Sequence, residues 1–447
     1  MKVLVPEYHF NAVSYTFKCL FKVFLGIEAD VVSAKHLTNF VIVSGEKSVS
    51  IANVFFGEKN PDRLFSSKRI PNSIDDGVIK IGGREFSVLS IFGKTGLTFK
   101  DNNHILLKSD IVGSTFFMLS RWEESVIESR DVHKRFDYRE SLSVKFGFYQ
   151  RPIVNEYVEL LWELCRFFNP ELKRTDRKYT CTFTSDIDEL RKWKKPKRLF
   201  ESVYLHLSRL HFGKAYADVR NYLNAYFHIK RDFYNNLDYL VREANGVNTI
   251  FYLKTGYSHP RHDKNRYKLE DYAAELNYAA GRGVKFGIHP NYDTYLNPEK
   301  LREDIHELQL YLNDPVSRVR QHYLRFSVPE TWKIQANANL LEDSTMIFSH
   351  RGGFRNGVCY SFPVFDFKAN RELGMFESPV LLMETAYSKV GYDQLIEDAN
   401  RLVSQVEKYK GNFVFLWHNG NLVYKDDRHY FEKLIELASA PQIEDAG

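Results

Sequence analysis

The pattern of hydrophobic and polar residues differs between two parts of this chain. Up to about residue 170, short apolar runs of β type alternate with turn signals such as Gly82-Gly83, and two stretches have helical character. The predicted strands cover residues 39–43, 78–81 and 87–91, and the predicted helices cover residues 114–124 and 154–168. This mixture predicts an N-terminal α+β domain over residues 1–170.

From residue 179 onward, strands and helices alternate. The predicted strands cover residues 179–185, 247–253, 284–288 and 413–417, and the predicted helices cover residues 269–280, 298–312 and 392–409. Such an order is typical of βα units around a parallel sheet or barrel. The polar run 171–178 follows Asn169-Pro170 and is predicted to be a linker, so residues 179–447 form the second predicted domain.

One segment interrupts this alternation. Residues 191–199 read RKWKKPKRL, with six basic residues in nine, and Leu199, Val203, Leu207 and Leu210 follow at helical spacing. The pattern predicts a basic helical insertion at about residues 191–240. Two interpretations stay open: a solvated charge run that leads into a helix, or a basic amphipathic helix that makes a peripheral contact with the inner face of a membrane.

Composition narrows the class of protein. Hydrophobic residues make up 44% and charged residues 27% of the 447 positions, which excludes a disordered, collagenous or membrane-embedded chain. The net charge of +5 is small for this length, so no nucleic-acid partner is expected. Four separated cysteines without a CxxC pair indicate a reducing compartment, and the first residues lack the apolar core of a signal peptide. We therefore expect a cytoplasmic protein.

Polar side chains lie where the predicted strands of the second domain end. In βα barrels, the residues that carry chemistry lie at the carboxyl ends of strands, where carboxylates and imidazoles can converge on a metal ion. Each residue is a weak signal alone, but their joint order predicts a hydrolytic metal site. The residues at or just beyond these ends are Asp186, Asp188, His289, Asp293, Arg320, His322, Tyr323 and His418.

Four short motifs around these residues resemble those of a known family. TFTSDID, GIHPNYD, RQHY and LWHNG, in this order, resemble the successive motifs of the polysaccharide deacetylases, carbohydrate esterase family 4. A bacterial branch with an N-terminal domain of unknown function is more similar still, since its hallmark resembles FFMLSRWEE at residues 116–124, followed by Asp131 and Arg135-Phe136. The resemblance implies an α/β fold with a deformed (β/α) barrel after a smaller α+β domain.

The resemblance also implies a reaction and a role for each residue. Family members remove acetyl groups from N-acetyl sugars with a divalent metal ion that activates water. Asp188 and His289 would hold the ion, Asp186 would be the general base, and Arg320 would hold Asp186. The Tyr323 backbone N–H would face the developing oxyanion, and His418, with Asp343 as its partner, would protonate the leaving amine.

The chain departs from the family at one metal ligand. Typical members have a second histidine four residues after the first, and here that position is Asp293. Three alternatives stay open: Asp293 is the third ligand, His322 is the third ligand, or the metal binds weakly or not at all. Zinc is the expected ion, and iron, manganese and cobalt would also suit such a site.

Several further residues could have either a functional or a structural role. Arg355, in GGFRNG, could contact substrate or stabilise a turn. Trp332 and Trp417 could stack on a sugar face or pack in the core. Glu384 could support the site or cap a helix, and Asp263 could be a ligand.

These observations predict a hydrolase that removes an N-acetyl group from a sugar or glycan intermediate in surface-polysaccharide metabolism, at a cytoplasmic or membrane-associated location. The first alternative is a non-catalytic glycan-binding or scaffolding protein on a degraded barrel, which Asp293 favours. The second is a hydrolase of another C–N bond, such as a cyclic amide.

Overall fold

The computed structural model describes residues 1–193, 195–228, 232–255, 262 and 267–439. Its first 170 residues combine short helices with mixed strands. The strands are β1 (Lys2–Val5), β2 (Asp30–Ser33), β3 (Phe40–Ser44), β4 (Lys47–Ile51), β5 (Asp75–Ile81), β6 (Arg84–Ser90), β7 (Gly93–Phe99) and β8 (His104–Ser109). The helices are α1 (Phe10–Lys18), continued by a π-helical segment (Cys19–Leu25), α2 (Pro61–Leu64), α3 (Ile111–Ser120), α4 (Glu123–Val126), α5 (Leu142–Lys145) and α6 (Ile153–Phe168).

Six of these strands form one mixed sheet in the order β2-β1-β3-β4-β8-β7, and β5 and β6 form a separate hairpin. The hairpin turns at Gly82-Gly83, where both residues have positive φ values of 59° and 77°. Such values suit glycine because it lacks a Cβ atom. The turn signal in the sequence therefore has a direct structural cause.

The helix predicted over residues 114–124 is shifted and divided. It begins at Ile111 because the Asp110 side chain accepts a hydrogen bond from the Gly113 N–H at 2.7 Å and so caps the helix. It ends at Ser120 because Arg121 adopts a left-handed conformation with φ 50°. The following residues form the separate short helix α4.

The second part of the chain alternates strands with helices, as predicted. The strands are β9 (Thr180–Ile187), β10 (Asn248–Lys254), β11 (Lys285–His289), β12 (Arg318–Val319), β13 (Glu342–Asp343), β14 (Phe362–Asp366), β15 (Arg371–Glu377), β16 (Leu382–Met383) and β17 (Asn412–Leu416). The helices are α7 (Pro196–Ser208), α8 (Phe212–Phe227), α9 (Leu237–Glu243), α10 (Ala273–Gly281), α11 (Pro298–Gln309), α12 (Glu330–Asn337), α13 (Tyr392–Lys408) and α14 (Lys425–Ser439).

These nine strands form one sheet in the order β14-β15-β13-β12-β11-β10-β9-β17-β16. All neighbours are parallel except β14, which pairs antiparallel with β15. Between the two outer strands, β14 and β16, the described residues contain no pairing, so the hydrogen-bonded sheet is open and does not close into a barrel. The mixed α/β character is confirmed, and the barrel is not.

The two parts pack against each other through a shared core. The Tyr15 ring lies 4.8 Å from the Phe365 ring, and its hydroxyl donates to the Pro363 carbonyl at 2.7 Å. The Phe116 ring lies 5.7 Å from the same Phe365 ring. Most of the buried apolar residues form one cluster that runs from Val3 to Ala438, and six others, among them Val380 and Leu416, form a second, smaller cluster. Among the described residues, no helix is both long enough and apolar enough to cross a bilayer.

Candidate active site

Two aspartates lie at the end of the central strand β9. Asp186 is the seventh of its eight residues, and Asp188 directly follows the strand. Because side chains alternate between the faces of a strand, two residues separated by one point to the same side. Parallel pairing with β10, and of β10 with β11, brings the carboxyl ends of these strands to one edge of the sheet. Both carboxylates therefore face a common edge.

Arg320 holds Asp186 in place. Its Nη1 donates to Asp186 Oδ1 at 3.1 Å and to Thr184 Oγ1 at 2.8 Å, and its Nε donates to the Ser344 carbonyl at 2.7 Å. Both charged side chains are almost completely buried. A buried carboxylate bonded to a guanidinium that is itself fixed on several sides has little freedom to move.

Asp188, His289 and His322 form a group that could hold a metal ion, since one ligand atom of each lies within 4.8 Å of the others. Asp188 Oδ1 lies 3.4 Å from His289 Nε2 and 3.3 Å from His322 Nε2. This oxygen is fully buried and accepts no hydrogen bond of normal geometry from the described residues, although the whole side chain is 34% exposed. A buried oxygen of this kind is a good position for a cation.

Burial alone would raise the pKa of the Asp188 carboxyl, yet the two imidazoles beside it hold that pKa well below its usual range, so the group is ionised. The tautomer of His289 supports a divalent ion at this group. His289 Nδ1 lies 2.8 Å from the Arg320 carbonyl, so Nδ1 carries the proton and Nε2 presents its lone pair to the group. One carboxylate and two imidazoles match the ligand preference of Zn²⁺ and of similar first-row ions.

His322 is also in contact with a lysine that the sequence analysis missed. The Lys254 Nζ lies 2.9 Å from His322 Nδ1 and 3.2 Å from its Nε2, and both residues are buried. Lys254 is the last residue of β10, so it ends a strand at the same edge as the other candidate residues. That position was the available signal. A bound ion would share this corner of the site with Lys254.

Asp293 lies outside the metal group formed by the described residues. Its Oδ1 lies 3.3 Å from Arg325 Nη1, and its Oδ2 lies 3.9 Å from Lys300 Nζ. Two cations thus face this carboxylate. Of the two ligand alternatives, the geometry favours His322. Asp263, the other candidate ligand, is outside the described residues.

His418 follows β17 and lies next to Asp186, with 3.9 Å between its Nε2 and Asp186 Oδ2. Its Nδ1 lies 2.7 Å from Glu384 Oε1, which also accepts a hydrogen bond from the His418 backbone N–H at 3.0 Å. Burial alone would lower the pKa of His418, but the charge and hydrogen bond of Glu384 raise it to about 10. The imidazole is therefore cationic at neutral pH and can donate a proton.

The partner of His418 is thus Glu384, and the prediction of Asp343 was wrong. Asp343 Oδ1 instead accepts hydrogen bonds from Gln335 Nε2 at 3.0 Å and from Thr345 Oγ1 at 2.7 Å. Asp343 lies opposite Glu377 in the pairing of β13 with β15. The two-residue strand β13 directs this carboxylate into the interior between sheet and helix α12, which contains Gln335.

Tyr323 lines the site in an unusual backbone conformation, with φ 58°. Arg135, from the first part of the chain, donates from Nη1 to the Tyr323 carbonyl at 3.0 Å and from Nε to Asp131 at 2.7 Å. The His133 ring lies 4.6 Å from the Tyr323 ring. The segment after FFMLSRWEE thus reaches the site, although its Asp131 and Arg135 had no assigned role in the sequence analysis.

Three residues predicted to contact substrate have other roles. Arg355 is buried and forms two bonds with the Glu124 carboxylate, at 3.0 and 2.6 Å, so it joins the two parts of the chain. The side chains of Trp332 and Trp417 are fully buried, and Trp332 Nε1 donates to Glu377 at 3.0 Å. None of the three side chains can present itself to a sugar, because each is enclosed in the core.

The site opens into a cavity of about 260 Å³, close to the lower end of the usual size for small-molecule pockets, roughly 300–1,000 Å³. Its lining combines charged and imidazole groups with apolar side chains. A cavity of this size suits one substituent or one terminal unit of a substrate better than a long chain. It is lined by Arg135, Asp186, Asp188, His289, His322, Tyr323, Leu324, Met383, Thr385 and His418.

Comparison with known proteins gives one family and several distant structures. Residues 1–170 match the family of unknown function DUF7033. No curated protein matches the chain. Among solved structures, the chain is similar to a putative polysaccharide deacetylase from Mycobacterium smegmatis, with 15% identity, a TM-score of 0.38, and coverage of 62% of this chain and 90% of that one.

It is also similar to a pseudoenzyme of the CE4 family from Bacillus anthracis, with 9% identity, a TM-score of 0.29, and coverage of 58% of this chain and 60% of that one. A mutant of that pseudoenzyme matches with the same identity and TM-score. Likenesses this distant say nothing about activity. Activity has to be judged from the side chains of this protein.

Proposed function

We propose that this protein is a metal-dependent hydrolase that removes an N-acetyl group from a sugar or glycan intermediate of surface-polysaccharide metabolism. The convergence of Asp188, His289 and His322 within 4.8 Å carries the proposal. Asp186 and His418, next to this group, supply the two proton-transfer residues that amide hydrolysis needs. The motifs TFTSDID, GIHPNYD, RQHY and LWHNG support an N-acetyl sugar as the substrate class.

Asp188, His289 and His322 would hold the ion, which when bound supplies Lewis acidity toward water and toward the amide carbonyl. Asp186 takes the proton of the attacking water at its Oδ2, because its Oδ1 is occupied by Arg320. A base held in this way stays in position while the water loses its proton.

His418 gives a proton to the leaving nitrogen. Its Nδ1 is bonded to Glu384, so Nε2 is the nitrogen that faces the site and donates. The carboxylate of Glu384 keeps the ring in its cationic form until transfer. The Tyr323 backbone N–H stabilises the oxyanion, and Arg135 donates to the carbonyl of the next peptide group, between Tyr323 and Leu324.

The first experiment measures metal content and acetate release. The purified protein is reconstituted with zinc, cobalt, iron or manganese, and then incubated with a panel of N-acetylated sugars. We expect close to one equivalent of ion and released acetate. Less than a tenth of an equivalent with every ion would exclude a metal-dependent enzyme and favour a glycan-binding protein. Bound metal with opening of a cyclic amide but no acetate would exclude a deacetylase.

Variants then separate the roles. Asp186→Asn should lower kcat by about 10²–10⁴-fold and keep the metal, because the base is not a ligand. Asp188→Asn, His289→Ala and His322→Ala should each lose metal as well as activity. Asp293→Asn is the matched control, since its carboxylate faces Arg325 and Lys300, and it should retain the ion. Substantial activity in Asp186→Asn would contradict the assignment of the base.

A further inference from the structure

Helices α7 and α8 form a hairpin with an unusual surface. Of the 25 large apolar side chains that are exposed among the described residues, eleven lie between residues 200 and 227. None of the residues of α7 is buried. Monomeric proteins seldom expose so many apolar side chains in one continuous region, and such a region marks a contact with a partner or a membrane.

The exposed side chains of α8 form a single stripe. Phe212, Tyr216, Val219, Leu223 and Tyr226 follow one another at intervals of four and three residues, and each is at least 40% exposed. This spacing places side chains on one face of a helix. The stripe therefore runs along the whole of α8 on its outer side.

The inner face of α8 is anchored to the rest of the protein. The buried Asp218 accepts hydrogen bonds from Lys192 Nζ at 2.8 Å and from the Tyr424 hydroxyl at 3.0 Å. Asn221 Oδ1 accepts a hydrogen bond from Trp193 Nε1 at 2.6 Å. These buried polar contacts fix the rotation of the helix about its axis, so the apolar stripe is held facing outward.

Charge indicates what covers the stripe. Residues 191–228 contain nine Lys and Arg but only two Asp and Glu, a net charge of +7, whereas the whole chain has +5. One of the two acids, Asp218, is buried against Lys192. Lys195, Lys197, Arg209 and Arg220 are exposed. An apolar stripe bordered by cations matches the interface of an anionic bilayer, where acyl chains lie beneath negative head groups.

The same charge argues against a second copy of this chain. Two hairpins packed face to face would bring two regions with an excess of cations together, and their repulsion would oppose the apolar contact. An anionic lipid surface meets the same cations with attraction. We propose that the α7–α8 hairpin binds the surface of an anionic bilayer, with the stripe of α8 in the interface and the cations at the head groups.

The hairpin lies close to the candidate site. Arg198, in the first turn of α7, forms an ion pair with Glu189 at 2.7 Å, and Glu189 is next in sequence to Asp188. Binding through the hairpin would therefore bring the site near the lipid surface. The proposal itself concerns the hairpin alone and does not depend on hydrolysis.

Flotation with lipid vesicles tests the proposal. The full chain is mixed with vesicles of phosphatidylcholine containing 30% phosphatidylglycerol, or with vesicles of pure phosphatidylcholine. We expect at least tenfold more bound protein on the anionic vesicles, with a loss of binding in 0.5 M NaCl. A wild-type protein that stays unbound to the anionic vesicles overturns the proposal.

Two variants identify the surface. Phe212→Ser/Tyr216→Ser/Leu223→Ser should lower vesicle binding at least tenfold while the thermal midpoint stays close to that of wild type, since all three side chains are exposed. Leu310→Ser/Leu341→Ser/Val390→Ser changes three exposed apolar side chains elsewhere and should bind like wild type. The proposal is overturned if the first variant binds vesicles as well as the wild type does. It is also overturned if the wild type does not bind vesicles but forms a dimer in solution, and the first variant is a monomer. The assay contains no sugar, so it is independent of deacetylase activity.

Discussion

At His418, one neighbouring carboxylate determines the pKa of the imidazole. Glu384 bonds to both its ring and its backbone, and this keeps the pKa of the imidazole at about 10 in spite of burial. In the proposed reaction His418 is the general acid and has to be protonated, so Glu384 would set the alkaline limit of activity.

We expect Glu384→Gln to move the alkaline limb of the kcat–pH profile to lower pH by about 1–3 units, because a nearby opposite charge raises a pKa by about that much. The measurement is acetate release from pH 5 to 11. Asp398→Asn, which removes a buried carboxylate bonded to Tyr387, should leave the limb in place. A limb at the wild-type position in Glu384→Gln would show that His418 is not the acid.

Sequence patterns predicted the residues of the candidate site better than they predicted the acids that form hydrogen bonds with those residues. Asp186, His289 and His418 could be found because each follows an apolar run that is long enough to be recognised as a strand. Glu384 follows β16, which has only two residues, and Asp343 lies in the two-residue strand β13. A strand of two residues contains no full period of alternation, so no pattern could distinguish these two acids as partners.

At the scale of elements, β13 and β15 are joined by a pair of buried acids. Asp343 and Glu377 lie opposite each other. Burial is the largest cause that raises the pKa of Glu377 well above its usual range, and the neighbouring Asp343 carboxylate raises it further. Above about pH 4.5, the Glu377 carboxyl therefore stays protonated in the folded protein to a greater extent than in the unfolded chain.

This proton makes stability depend on pH. The folded-state pKa of Glu377 lies above its ordinary value, so the protonated carboxyl stabilises the folded state fully below about pH 4.5. This stabilisation is lost as the pH rises toward the folded-state pKa. The loss is about 1.4 kcal/mol for each unit by which the pKa is shifted. Glu377→Gln should flatten the decline in the free energy of unfolding between pH 5 and 8, measured with urea. If the free energy of unfolding changes with pH in the same way in Glu377→Gln and in the wild type, the raised pKa of Glu377 is contradicted.

At the scale of the whole molecule, the two parts of the chain are joined by a buried cluster of charges. Glu124 forms bonds with Arg121 at 2.9 Å and with Arg355 at 2.6 Å, and all three side chains are buried. Burial would raise the pKa of Glu124, but the two guanidinium groups hold it below its usual value. FFMLSRWEE thus supplies the acid that binds GGFRNG, some 230 positions later in the chain.

Glu124→Gln is expected to lower the free energy of unfolding by about 3–5 kcal/mol, because it leaves a buried arginine without its carboxylate. Glu372→Gln is the matched control, since Glu372 joins the same two parts through a partly exposed pair with Lys18. Its cost should be at most about 1 kcal/mol. Urea unfolding measures both variants, and equal small losses would show that the buried cluster contributes little.

The order of strands has a consequence for the time at which the protein acquires its site. β9, which contains Asp186, lies between β10 and β17, and Ile187 and Asn412 are 225 positions apart. A ribosome that adds roughly 5–20 residues per second needs about 10–45 s to make that length. During this period, the edge of β9 that later pairs with β17 has no partner strand. Unpaired strand edges promote aggregation of unfinished chains. A new molecule therefore completes its candidate site only after β17 has been made, and until then a chaperone that covers strand edges would protect it.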